Sequence, residues 1–130
     1  MLHPNDFEVN EAWIAFRLNT APIRTEENGD FNCIALMDAA SCFILSSDLI
    51  AVDTAGPTQL EFRHLVESAQ RHNQRLPVML FLSRGEFSDQ LTREATEQGI
   101  EVVSVPENEL LVFTEEARRG FAEHFEDPLQ

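Results

Sequence analysis

The chain has 130 residues, 43% of them hydrophobic, and a formal charge of −14 from 9 basic and 23 acidic residues. A domain of this size can bury roughly two-thirds of its unfolded surface, so it needs no disulfide or metal to hold a core. The charge repels nucleic-acid phosphates and anionic lipid, and we expect neither nucleic acid nor membrane as a partner. All 9 basic residues are arginines, which excludes chemistry that requires a lysine.

The apolar runs and the amino terminus give no sign of a membrane or secretory segment. Runs such as Val78 to Leu82 are far shorter than the ~20 residues of a membrane span. The start, Met-Leu-His-Pro-Asn-Asp, lacks the basic and apolar parts of a signal peptide. We therefore expect one cytoplasmic domain over residues 1–130, with residues 1–10 frayed.

The first structured segment is Ala12 to Leu18, whose alternation favours an edge strand over a short helix. A hairpin then follows from Phe31 to Leu45. It is apolar on both faces, so both of its strands should be covered by helices above and below a sheet. Leu49 to Val52 either continues the second hairpin strand past a bulge or forms a third strand.

The second half alternates between helices and strands. Thr58 and Glu61 form a capping box that should open a helix. The run from Val78 to Leu82 predicts a parallel central strand. A second helix is expected from Glu86 or Phe87 to Gln98 and a strand from Ile100 to Val105, with Gly99 between them in the position that ends a helix.

The C-terminal segment is ambiguous in its first half. Glu109 to Phe113 suits either a strand or the first turns of a helix. Thr114 is an acceptable N-cap, so a helix over residues 114–125 is expected in both cases.

This order of elements predicts an α/β fold. Its mixed central sheet begins with an antiparallel hairpin, continues as α-β-α-β-α and carries helices on both faces. We expect seven side chains to be fully buried: Ile34, Leu36, Phe43, Ile44, Met79, Leu80 and Phe81.

The two cysteines are too far apart to form a disulfide. A turn at residues 38–41 would place Cys42 opposite Met37 and Cys33 opposite Ser46, so the two thiols are offset by ~13 Å along the strands. A disulfide needs Cα atoms within ~7 Å. The four histidines are scattered and no CxxC motif occurs, so no zinc site is expected.

Residues 53–56, Asp-Thr-Ala-Gly, resemble the acidic switch motif of GTPases. No phosphate-binding loop precedes them, however, and the chain has no lysine to hold a β-phosphate. We interpret the segment as the end of a strand that leads into a turn and a capped helix.

Asp38 is the strongest candidate for a catalytic residue. An acid at the end of a central strand, before an α-β-α-β-α run, is how an RNase H-like nuclease begins its two-metal site. Glu61 or Glu67 would supply the helical ligand. The acid expected after Val78 to Leu82 is missing, because residues 83–86 are Ser-Arg-Gly-Glu. The alternative is that Asp38 is a turn residue whose carboxylate binds nearby amides.

Five features, taken in chain order, together resemble a prokaryotic family of small domains of unknown function. They are the hairpin stretch 34–41, the capped helix, the Pro-led strand start Leu76-Pro77-Val78, the helix end Gly99-Ile100-Glu101-Val102 and the final acidic helix. The resemblance spans residues 12–125 and implies an RNase H-like α/β topology without assigned activity or catalytic residues. In a second alignment, Ala12 to Leu18 is the first strand and Asp38 falls on the second. The nuclease analogy then lacks the first-strand acid on which it depends.

Because no catalytic set converges in the sequence, the expected function is non-enzymatic. The chain would bind another protein, or a second copy of itself, without a cofactor. The alternative is a nuclease or phosphohydrolase dependent on Mg²⁺ or Mn²⁺, with Asp38 and either Glu61 or Glu67 as metal ligands.

Overall fold

Strand β1, Ala12–Arg17, lies at the centre of a mixed sheet. It pairs antiparallel with β3, Asp30–Asp38, and parallel with β5, Met79–Ser83. Its first five residues are buried, which only a strand covered on both faces achieves. The segment from residue 12 is therefore the first strand of the sheet and not an edge strand. The computed structural model describes residues 2–20, 22–24, 26, 29–51, 58–83 and 88–125.

The remaining strands extend the sheet on both sides of β1. Strand β4, Ile44–Ala51, pairs with the outer edge of β3, and β6, Glu101–Val105, pairs in parallel with β5. The short β2, Ile23–Arg24, pairs with the start of β3 on the same side as β1. The sheet is thus mixed, with the hairpin on one side and parallel strands on the other, as the sequence predicts.

Helices cover both faces of this sheet. Helices α1, Gln59–Asn73, and α2, Ser88–Glu97, pack on one face against a cluster that includes Trp13 and Leu80. Helix α3, Glu107–Phe125, packs on the other face against Ile14 and its neighbours. The three-layer α/β architecture is confirmed. Within the described residues, no helix is long and apolar enough to cross a membrane.

The capping box of α1 forms as predicted. The Thr58 hydroxyl accepts from the Glu61 amide at 3.1 Å, and the Glu61 carboxylate accepts from the Thr58 amide at 2.9 Å. The helix ends at Gln74, which adopts the left-handed conformation at φ 63°. Two of the orphan amides of the first turn are satisfied by this exchange.

Replacing Thr58 by alanine should lower the free energy of unfolding by ~1 kcal/mol, because the Glu61 amide loses its acceptor. Thr58→Asp should be nearly neutral, since a carboxylate accepts the same bond. Urea unfolding monitored through Trp13 fluorescence measures both variants. Equal stability of Thr58→Ala and the native chain would contradict the cap.

Of the seven side chains expected to be fully buried, four are buried and three are not. Ile34, Leu36, Leu80 and Phe81 are buried. Phe43 is 56% exposed because it comes just before β4, at an edge of the sheet, where its ring contacts His72 of α1 edge-on. Ile44 and Met79 are half-buried.

The hairpin has a different register from the predicted one. Met37 pairs with Ile44 and Cys33 with Leu49, because the turn is longer than expected and the register shifts once between Leu36 and Met37. Strand β4 therefore continues through residues 49–51 without a third strand. Both cysteines are free.

Helix α3 resolves the ambiguity of the C-terminal segment, because residues 109–113 lie inside it. Thr114 is therefore not an N-cap. Its hydroxyl donates back to the Leu110 carbonyl at 3.2 Å, a bond that a threonine makes within a helix. The motif at residues 53–56 and the segment 84–87 lie outside the described residues.

The stretch before β1, for which fraying is expected, contains a 3₁₀ turn at Pro4–Asp6. It also brings Asn10 into a buried position in the left-handed conformation, at φ 66°. Asparagine tolerates this conformation better than other non-glycine residues. Asn10 is consequently part of the polar network around Asp38.

Candidate functional site

The two ends of the sheet differ in chemistry. Strands β1, β5 and β6 run parallel, so their carboxyl ends meet at one end, which we call the carboxyl end of the sheet. Open α/β sheets bind ligands at this end. Asp38 pairs with Trp13 at the start of β1, because β3 runs antiparallel to it. The sequence-predicted Asp38 therefore lies at the opposite end.

The Asp38 carboxylate is buried, with 1% of the residue exposed, and both of its oxygens accept hydrogen bonds. One accepts from the Asn10 amide at 2.7 Å. The other accepts from the Ser41 amide at 2.9 Å and the Ser41 hydroxyl at 2.7 Å. This is the arrangement of a carboxylate that fixes a turn.

Asn10 connects Asp38 to the rest of the fold. Its side-chain oxygen accepts from the Trp13 indole at 2.7 Å, and its amide nitrogen donates to the Arg75 carbonyl at 3.2 Å. Arg75 follows the C-terminal end of α1. The network thus ties the hairpin turn, the central strand and the end of a helix together.

The structure does not bring Glu61 or Glu67 to Asp38. Glu61 is in the first turn of α1, and a rise of ~1.5 Å per residue places it about 20 Å from the helix end near Asp38. Glu67 is about 10 Å from that end by the same measure, and it is exposed. Within the described ranges, no three His, Cys, Asp or Glu residues are grouped so that they could hold a metal ion.

The carboxyl end of the sheet holds an arginine against an aromatic ring. The Arg118 guanidinium of α3 lies 5.6 Å from the centre of the Phe16 ring, within cation–π range. Its Nε donates to the Arg17 carbonyl at 2.9 Å, and its Nη1 pairs with the Glu107 carboxylate at 3.0 Å. Glu107 also accepts a 3.5 Å bond from Ser83 at the end of β5.

No protein-family model matches this sequence, and a comparison with curated proteins gives no match. Among solved structures, the magnesium complex of the human T-cell lymphotropic virus 2 (HTLV-2) integrase catalytic core, dimeric form, is similar at a TM-score of 0.57 and 13% identity. That match covers 89% of this chain and 69% of the other. The chain has an RNase H-like fold. At such identity the likeness establishes the fold alone.

Two further integrase structures have the same arrangement. The catalytic core of bovine immunodeficiency virus (BIV) integrase matches at a TM-score of 0.54 and 15% identity, over 88% of this chain and 68% of the other. A simian T-cell lymphotropic virus intasome, in complex with the PP2A regulatory subunit B56 gamma, gives a TM-score of 0.59 and 17% identity. The match covers 88% of this chain but spans only 39% of the intasome chain.

A buried acid that the sequence reasoning missed lies between α1 and α2. Glu94 is 0% exposed, and its carboxylate accepts from Arg63 at 3.2 Å, Gln59 at 3.3 Å and Gln98 at 2.8 Å. One stripe of α2 contains Leu91, Glu94 and Ala95. An acid within an apolar stripe is the sequence signal that points to a buried carboxylate. With three donors around it, Glu94 joins the helices.

The two thiols are poor nucleophiles. Burial raises the pKa of the Cys42 thiol, and the carboxylates of Asp38 and Glu116 raise it further. Burial also raises the pKa of Cys33. Both side chains therefore stay protonated at neutral pH, which excludes the thiolate that cysteine catalysis requires.

Proposed function

We propose that this chain is a non-catalytic RNase H-like domain that works by binding another protein. The observation that carries the proposal is the Arg118 guanidinium against Phe16 at the carboxyl end of the sheet. An RNase H-like nuclease needs carboxylates from its first strand and the end of its fourth core strand to hold two metal ions. Here the first strand, Ala-Trp-Ile-Ala-Phe-Arg, contains no acid.

Among the described residues, the charges at this end oppose a divalent cation. Glu107 is the acid that reaches Ser83 at the end of β5, and Arg118 neutralises it at 3.0 Å. The side chain of Arg118 is 20% exposed, so its positive charge is only partly screened by water. A metal bound there would have to displace this ion pair.

The alternative, a metal-dependent nuclease or phosphohydrolase, is favoured only by the fold that this chain shares with integrase cores. Its proposed anchor, Asp38, lies at the other end of the sheet with both oxygens bonded. A fold hosts many functions, so the site chemistry decides between the two. The net charge of −14 also disfavours a nucleic-acid substrate.

Binding of another protein is supported by the surface. This chain exposes Leu49 on the edge strand β4 and Leu111 on α3. The similar HTLV-2 cores are described in a dimeric and a trimeric form, and the intasome is in complex with a PP2A subunit. These assemblies belong to those proteins, and the likeness of this chain to them is one of fold.

We expect no cleavage of single- or double-stranded DNA or RNA by the chain in millimolar Mg²⁺ or Mn²⁺. Metal at a hundredfold excess over the Kd of a site on the folded chain would raise the free energy of unfolding by about 2.7 kcal/mol. Because we expect no such site, thermal melts with and without metal should coincide closely. Cleavage that is lost in Asp38→Asn or Glu107→Gln, with the variant still folded, would establish the alternative.

The binding half of the proposal has a separate test. In a nuclease-treated extract of the source cells, the chain should elute from a sizing column well above its own mass of 14.8 kDa. Elution at the monomer mass would contradict the proposal, because a domain that acts through protein contacts should be found in a complex.

A further inference from the structure

A groove of about 400 Å³ lies between the outermost strand and the first helix. We call it the β4–α1 groove. Its lining consists of three consecutive residues of β4 and three residues of α1: Leu45, Ser46, Ser47, Ser68, Arg71 and His72.

The groove follows the backbone edge of β4. Ser46 is opposite Leu36, and its hydroxyl donates to the Leu65 carbonyl of α1 at 2.8 Å. Ser47 is the next residue, so its side chain is on the other face of the sheet. Both residues line the groove, which therefore borders the backbone of β4 at this point. Within the part of the chain that the structure describes, β4 pairs only with β3, so this edge is open.

The helical wall of the groove carries one arginine, Arg71. Ser68, Arg71 and His72 are spaced i, i+3 and i+4 and therefore form one stripe of α1. Arg71 donates to the Glu67 carbonyl and the Ser68 hydroxyl, both at 3.4 Å, near the limit for a hydrogen bond. The His72 ring packs edge-on against Phe43 at 5.6 Å. The guanidinium is thus held in place by weak bonds and can bind an anion.

A negative charge, Asp48, lies two residues beyond Ser46 on β4. Asp48 is opposite Ile34, as Ser46 is opposite Leu36, so both side chains project on the α1 side. Asp48 is exposed, and its carboxylate accepts only from the Leu49 amide at 2.9 Å among the described residues. Two residues along a strand span about 7 Å. An extended peptide has the same spacing between side chains on one face.

We propose that the β4–α1 groove binds an extended segment of the partner protein, which adds to the open edge of β4. Its acidic side chain contacts Arg71 and His72, and a basic side chain two residues away contacts Asp48. The backbone supplies affinity and the two charges supply specificity, as in other strand-addition complexes. This inference rests on the proposed function and names the surface through which it operates.

The test uses four heptapeptides of alternating Val and Thr that differ only in two positions: Glu-x-Lys, Lys-x-Glu, Glu-x-Glu and Lys-x-Lys. The two peptides of mixed charge, Glu-x-Lys and Lys-x-Glu, allow for both directions in which the added strand can run along β4. In fluorescence anisotropy at physiological salt, at least one mixed peptide should bind the full chain about fivefold more tightly than either like-charged peptide. Amide exchange at residues 45–48 should slow in that complex, since strand addition forms backbone hydrogen bonds along this edge.

Charge reversals make the test specific. Arg71→Glu should favour Lys-x-Lys, and Asp48→Arg should favour Glu-x-Glu, because each variant reverses one of the two contacts. Arg93→Glu, an exposed substitution on α2, is the matched control and should change nothing. Failure of every peptide to bind, or an order of affinities that neither reversal changes, would overturn the inference.

The same variants distinguish this inference from the proposed function. If Arg71→Glu leaves the complex in the cell extract intact, the partner binds elsewhere and only the groove assignment fails. If the chain cleaves nucleic acid, the proposed function fails whatever the peptides do.

Discussion

Replacing Leu80 by alanine should lower the free energy of unfolding by about 2 to 5 kcal/mol. Leu80 is in the middle of β5, between β1 and β6, and is 1% exposed. Its side chain packs in the cluster that joins the sheet to α1 and α2. The substitution removes buried methyl groups and leaves a cavity that a sheet covered on both faces cannot close.

The measurement is urea unfolding of the native chain and the variant, with an equal slope in both to show that the midpoint shift reports stability. Leu60→Ala is the matched control, since Leu60 is 55% exposed on α1 and its truncation should cost less than about 0.5 kcal/mol. A cost below half a kcal/mol for Leu80→Ala would mean that β5 is not a central strand.

Local sequence signals predicted most of the elements correctly. Thr58 and Glu61 mark the start of α1 because a capping box is formed within four consecutive residues. Gly99, at φ 82°, follows the end of α2, because glycine adopts the left-handed conformation that ends a helix. The apolar residues on both faces of the strand from residue 31 predict that helices cover it, and β3 lies inside the sheet between β4 and β1.

The errors come from pairings between distant residues. The alternation of the segment from residue 12 favours an edge strand, yet the strand is paired on both sides, with β3 and β5. Phe43 was placed in the core because the sequence does not specify that β4 is outermost. The placement of the alternative site residue Asp38 depends on such pairings as well. An acid at the end of a strand is recognisable from sequence, but the end of the sheet at which it lies depends on the direction of β3.

Asp38→Asn should lower the free energy of unfolding by about 2 to 3 kcal/mol, with or without a metal chelator. An amide has one acceptor oxygen where the carboxylate has two. The amides of Asn10 and Ser41 approach different oxygens at 2.7 and 2.9 Å, so one of these donors must lose its partner and face an NH₂ group. Both bonds are also charge-assisted in the native chain, so losing them lowers the free energy of unfolding by more than the loss of neutral hydrogen bonds would.

A metal ligand would behave in the opposite way. In a cluster of carboxylates without its metal, neutralising one of them relieves repulsion, so Asp38→Asn would be neutral or stabilising in chelator and costly only with metal. Asp48→Asn is the matched control on the same hairpin and should stay within about 0.5 kcal/mol of the native chain. Ser41→Ala combined with Asp38→Asn should cost less than the sum of the single changes, because the two residues share bonds. Additive costs, or a stabilised Asp38→Asn, would contradict the structural role of this carboxylate.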